Sequence, residues 1–410
     1  MELMAMLILS VALSLPGSGT PEQRQVPPPP FCGTLRQADC QILVDAQALM
    51  TEVRSLTLDW QAEAALSGIP DLTEEDLRFE TAMTISFDLG LLGRAQLDTW
   101  MTERPEELLD AQDELAQQLF DLYENLDMEM DMQLTLPAVL SQIIEADADL
   151  VLPDTIKIET RLVDGYVYIN MDRIAEGDPA LAAEMQAAGI KGWIGFDFIS
   201  LLEQQMGSAG EAPDPALLGS LQMGMAFDQM LADESVRTLL ESYRSIERLA
   251  DEERDGTPVA IFRSSFDLAR LVANPDFTRI LRETADSFIA ASGETVDPQE
   301  LGMVLLGVQL FANVLTRSFE FQHVQAIGVE EPFLYDENIV LEMDLSGLIT
   351  LLEMSGEELP PTLRGAHPLF NLTVETHYTN FDSVPAIEVP EDVELIPLDS
   401  LDEDNLDAIL

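Results

Sequence analysis

Residues 128–136 read MEMDMQLTL, and residues 155–172 read TIKIETRLVDGYVYINMD. In the first stretch Met128, Met130, Met132, Leu134 and Leu136 alternate with Glu129, Asp131, Gln133 and Thr135. Successive side chains of a strand point to opposite faces, so this pattern predicts a strand with one apolar and one wet face. In the second stretch Asp164-Gly165 separates two alternating runs. That dipeptide suits a two-residue type I′ turn, so the stretch predicts a tight antiparallel hairpin.

The same period of two recurs on both sides. SLTLDWQAEAAL (55–66), FETAMTISFDLGLLG (79–93) and AQLDTWM (95–101) precede the decisive stretch. KGWIGFDF from Lys191, PVAIFRSSFDL (258–268), SFEFQHVQAIGV (318–329), NIVLEMDL (338–345) and LFNLTVETHY (369–378) follow it. Between them the apolar spacing becomes helical. Asp39 is expected as the N-cap of a first helix carrying Ile42, Ala46, Leu49, Met50 and Val53. Arg104-Pro105 opens a helix that runs to 126, and further helices are expected at 198–206, 215–231, 234–249, 275–291 and 297–315. No repeat and no composition break divides residues 41–395. The expected class is α+β, with one antiparallel sheet and helices inserted between its strands. The expected layout is an apolar segment at 1–20, a Pro-rich linker at 21–38, a single domain at 39–395 and an acidic tail at 396–410.

The charge narrows the partners. The 410 residues hold 20 Lys and Arg against 76 Asp and Glu, a formal charge of −56. Only Lys157 and Lys191 are lysines. Nucleic acid is excluded as a partner, because phosphate neutralisation needs a basic surface. Tight electrostatic binding to anionic membranes is excluded for the same reason. Such a charge also keeps a protein soluble and monomeric. Hydrophobic residues make up 47%, enough for a folded core.

The N-terminal run LMAMLILSVALSL (3–15) is too short to span a bilayer and matches the apolar region of a signal peptide. Export is therefore expected, with a stiff spacer at Pro27–Pro30 behind it. No cysteine directly follows the apolar run, so the lipidated cysteine of a bacterial lipoprotein is absent. Cys32 and Cys40 are the two cysteines. In an exported chain they are expected as a short-range disulfide, with two free thiols as the alternative.

The sequence carries no catalytic signature. GxSxG, HExxH, GxxxxGK[ST] and GxGxxG are all missing. His323, His367 and His377 stand apart from one another and from any cysteine. Asp402, Asp404 and Asp407 lack the loop of a calcium site. No metal, cofactor or enzymatic activity is expected. The unusual apolar feature is methionine. Met128, Met130 and Met132 form a polarizable strip that suits varied acyl chains, or else a sheet face packed on helices. The candidate ligand face, read from alternation, is Met83, Ile85, Phe87, Met128, Met130, Met132, Ile156, Ile158, Val167 and Ile169.

The order of segments also matters. LPDTIKIETRLVDGYVYINMD (152–172), GWIGFDFISLL (192–202), DGTPVAIFRSSFDLARL (255–271) and LTVETHYTNFDSVPAIEVPEDVE (372–394) follow one another in a pattern that resembles the LolA and LppX/LprG-like superfamily of bacterial lipoprotein carriers. The resemblance implies a curved, open half-barrel sheet whose concave face is covered by helices. It also implies a lipid or acyl chain as ligand and a place in the bacterial cell envelope, with no catalytic residue. An unliganded scaffold of the cell surface is the alternative function.

Overall fold

The structure, a computed structural model, describes residues 30–70, 72–73, 77–90, 120–137, 139, 153–177, 182, 183, 185, 187, 190–201, 234–254, 256–277, 279–280, 318–355, 363 and 365–397. The expected strand at 95–101, the helices at 215–231 and 297–315, the apolar segment 1–20 and residues 398–410 of the tail lie outside these residues. So does the 105–126 helix except for its helical end at 120–124.

Thirteen strands form one open sheet. In chain order they are β1 (Ser55–Ser67), β2 (Arg78–Asp88), β3 (Asp127–Thr135), β4 (Thr155–Val163), β5 (Tyr166–Asn170), β6 (Trp193–Asp197), β7 (Arg244–Arg248), β8 (Glu252–Arg254), β9 (Thr257–Phe266), β10 (Phe319–Gly328), β11 (Leu334–Asp344), β12 (Leu369–Thr379) and β13 (Glu394–Leu395). The spatial order is β13-β6-β5-β4-β3-β2-β1-β12-β11-β10-β9-β7, with β8 beside β9. All pairs are antiparallel except β13 with β6. Among the described residues five whole helices accompany the sheet: α1 (Gln37–Met50), α2 (Met171–Gly177), α3 (Glu234–Glu241), α4 (Leu268–Val272) and α5 (Ser346–Ser355). The class is the expected one, α+β on a curved, open and almost wholly antiparallel sheet.

The two decisive stretches form β3 and the β4–β5 hairpin. Asp164 and Gly165 both take positive φ, at 51° and 77°, as a type I′ turn demands. A Cβ on Gly165 would stand 2.8 Å from the Ile199 side chain, so packing also favours glycine there. β5 pairs only with the second half of β4. Helix α2 fills the space beside the first half, where Glu176 meets Lys157 at 3.2 Å.

Register extends the alternation across the sheet. Phe87 lies opposite Met128, Met128 opposite Leu162, Leu162 opposite Val167, and Val167 opposite Phe196. The next row runs Leu58, Ile85, Met130, Thr160, Ile169, Ile194. These residues share one face. The other face carries Asp59, Thr84, Glu129, Asp131, Lys157 and Arg161, joined by pairs such as Arg161–Glu129 at 2.7 Å and Arg173–Asp131 at 3.1 Å. Such half-exposed ion pairs contribute little individually.

Three expectations change in the structure. Asp39 is not the N-cap. Arg36 holds that position with extended backbone and no side-chain cap, and Asp39 lies one turn inside. There it is 5% exposed and receives Arg36 at 2.9 Å and Arg248 at 2.8 Å, which ties α1 to β7. These two cations, Arg36 first, hold its carboxyl below the usual range. The helix expected at 234–249 ends at Glu241, and Arg244–Arg248 becomes β7 because it pairs along β9. The folded part also begins before residue 39. Phe31 and Leu35 pack with Leu43, Ala46, Ile246, Ala260 and Phe262, and Cys32 and Cys40 form a disulfide across this corner.

Candidate functional site

The apolar face of the sheet is the candidate site, and its two halves differ. On β2 to β6 it is packed shut. Ile85 is 0% exposed and Met130 2%, and they join Phe87, Met128, Val167 and Ile169 in one buried cluster with Leu122, Tyr123, Phe196 and Phe198. Tyr123 meets Phe198 edge-on, with ring centroids 5.3 Å apart, and burial pushes its hydroxyl up to about 12. Met132 is buried beside them, while Met83, Ile156 and Ile158 are half-buried. Register therefore brings all ten expected ligand residues onto one face, and seven of them are core.

On β1, β12, β11 and β10 the same face carries two apolar rows that are only half-buried. One row runs Phe79, Ala64, Leu372, Leu341, Phe321. The next holds Leu66, Phe370, Met343 and Phe319. The period-two pattern of 318–329, 338–345 and 369–378 carried this signal as clearly as β3 did.

A polar island interrupts this surface. Glu337, on β11, points to the apolar side between Gln325 and Thr376. Its carboxylate accepts from His323 Nε2 at 2.9 Å, Gln325 Nε2 at 3.0 Å and Tyr378 Oη at 2.8 Å. Burial pushes the Glu337 carboxyl up, but these three partners, led by His323, outweigh it and hold it low. Burial, then the charge of Glu337, pushes the Tyr378 hydroxyl well above its usual range. Buried polar groups are stable only when bonded in this way.

The polar face offers a different surface. An open groove of about 290 Å³ is lined by Asp59, Gln61, Arg254, Asp336, Glu375 and His377 among others. Asp336 bridges two of them, receiving His377 at 2.5 Å and Arg254 at 3.1 Å. Among the described residues no group of three or more His, Cys, Asp or Glu is arranged to hold a metal. Among those residues, too, no helix is long and apolar enough to cross a membrane.

This is an α+β protein defined by one open sheet with one largely apolar face. The chain is similar to LprF from Mycobacterium bovis, at 9% identity over 86% of this chain and 97% of that one, with a TM-score of 0.31. It is also similar to the lipoprotein LppX from Mycobacterium tuberculosis, at 5% identity over 86% and 98%, with a TM-score of 0.26. No protein-family model and no curated protein matches the chain.

Proposed function

We propose that the protein holds a lipid or acyl chain against the apolar face of its sheet, as a non-enzymatic binding or carrier protein outside the bacterial cytoplasm. One observation carries this reading. The face that forms the closed core on β2 to β6 also carries half-buried apolar rows on β1, β12, β11 and β10, beyond the polar island around Glu337. A sheet face of that kind is a large hydrophobic surface that a flexible chain can share. In this reading Met83, Ile156 and Ile158 line it beside Phe321, Leu341 and Leu372. The disulfide supports an oxidising compartment.

A second reading is an unliganded scaffold of the cell surface. The complete burial of Ile85 and the near-complete burial of Met130 favour it, since no ligand reaches side chains already packed shut.

Native mass spectrometry of the chain purified from its own host, with lipid extraction of the same sample, separates the two. A stoichiometric co-purifying lipid is the expected result. An empty, folded protein that also fails to bind a fluorescent fatty acid would overturn the carrier reading.

A further inference from the structure

Arginine is the main cation of this acidic chain, and among the described residues its use is almost uniform. Arg36, Arg54, Arg78, Arg161, Arg173, Arg237, Arg248, Arg254, Arg263, Arg270 and Arg279 each stand within 4.0 Å of a carboxylate. Arg244 is the described arginine without such a pair. It opens β7 and is half-buried. Its guanidinium lies over the Phe31 ring at 5.5 Å, and its one hydrogen bond, to Ser264 Oγ, is long at 3.5 Å. Ser264 is 4% exposed, and its other bond, to the His323 carbonyl, is also 3.5 Å. Burial pushes Arg244 down, with Glu241 acting against it. Glu241 itself is held by Arg237 at 3.8 Å.

The place of Arg244 in the register is informative. It lies opposite Phe266 on β9. The neighbouring pair Ser265–Gln322 puts Phe266 level with Phe321, and Phe321 starts the half-buried row through Leu341 to Leu372. From β7 to β12 this row crosses four strand spacings of about 4.8 Å, roughly 19 Å in all. That is the length of a long fatty acyl chain. A guanidinium has five donors and matches carboxylate and phosphate oxygens in two-pronged geometry.

We propose that Arg244, with the Ser264 hydroxyl, binds the anionic end of an acyl ligand, a carboxylate or a phosphate, whose tail lies along Phe321, Leu341 and Leu372. This rests on the acyl-binding reading above and specifies the chemistry of the head. Half-buried next to an aromatic ring, the guanidinium gives up part of its hydration, and an incoming oxyanion replaces it with charge-assisted bonds.

The test compares anionic probes with neutral ones of equal tail. One arm uses cis-parinaric acid and its methyl ester. The other uses pyrene-labelled phosphatidic acid and the matching diacylglycerol. The expected result is an affinity at least about tenfold higher for the anionic member of one arm, the worth of one charged hydrogen bond. The arm that shows it names carboxylate or phosphate. Arg244→Gln removes the preference, while Arg244→Lys keeps part of it. Equal binding of the anionic and neutral members in both arms by the native protein overturns the role of Arg244 and leaves the acyl reading standing. A preference that survives in Arg244→Gln also overturns it. Failure of every probe to bind overturns the acyl reading itself.

Discussion

Replacing Tyr378 with Phe isolates one bond of the polar island. The Tyr378 hydroxyl donates to Glu337 at 2.8 Å, and Phe keeps the ring that packs against the main cluster. A hydrogen bond to a charged group contributes about 1.5–3 kcal/mol. The Glu337 side chain is 24% exposed, so water partly replaces the lost donor and the expected loss at pH 7 is at the lower end, about 1.5 kcal/mol. The assay is urea unfolding followed by circular dichroism, with Phe321→Tyr as a control that adds a hydroxyl on the same face. The pH dependence follows from the Glu337 carboxyl, which is held below its ordinary value in the folded chain. Its charged form therefore stabilises the fold fully above the unfolded value of about 4.3. That contribution disappears as pH falls through the lower folded value. Tyr378→Phe raises the folded value towards the unfolded one, so the gap between native protein and variant narrows below about pH 4.3. A difference under about 0.5 kcal/mol at pH 7 would refute the reasoning, since that lies within what fully exposed pairs give. A gap that stays constant down to pH 3 would also refute the role of the charge.

Three further outcomes are expected. Ile85→Ala, at a position 0% exposed, destabilises by about 2–5 kcal/mol in urea unfolding, whereas Thr84→Ala on the polar face changes stability far less. Gly68→Ala lowers the thermal midpoint sharply, because φ is 76° and a Cβ would stand 2.0 Å from the His367 carbonyl oxygen, which is backbone and cannot rotate away. Cys32→Ser with Cys40→Ser costs about 2–3 kcal/mol and loosens α1, read as faster amide exchange in residues 37–50; free thiols in the untreated protein would refute the bridge.

The fold was legible where local pattern and tertiary role agree. Met128 to Thr135 alternate because one face is core and the other is wet, and Asp164-Gly165 turns because two successive residues need positive φ. β7 was not legible. RSIER is short, follows a helix and becomes a strand only through its pairing with β9. β13 is two residues long and exists only because the edge of β6 receives it. In the site, alternation identified the correct face, but Met128 and Ile85 gave no sign that their half is closed. Closure depends on what packs above, such as Leu122 and Phe198, and the alternation of a strand carries no record of that. Glu337 was within reach, because extending the inward set Ile339, Leu341 and Met343 one step back places a carboxylate on the apolar side. Arg244 was not, since its distinction is a missing partner and pairing is a property of three dimensions.

The position of β12 has a consequence for biosynthesis. It lies between β1 and β11, with register from Thr57–Thr379 to Ser67–Leu369 on one side and from Asp336–His377 to Asp344–Leu369 on the other. β1 to β6 form one chain-ordered run of neighbours, and β7, β9, β10 and β11 form another, with β8 beside β9. Until residues 369–379 have been made, the growing polypeptide holds two separate half-sheets, each with a long open edge and a greasy side. One late strand seals both edges at once. A ribosome pause or truncation just upstream of Leu369 would leave a sticky pair of fragments, and a chaperone would have to shield them for the whole of that interval.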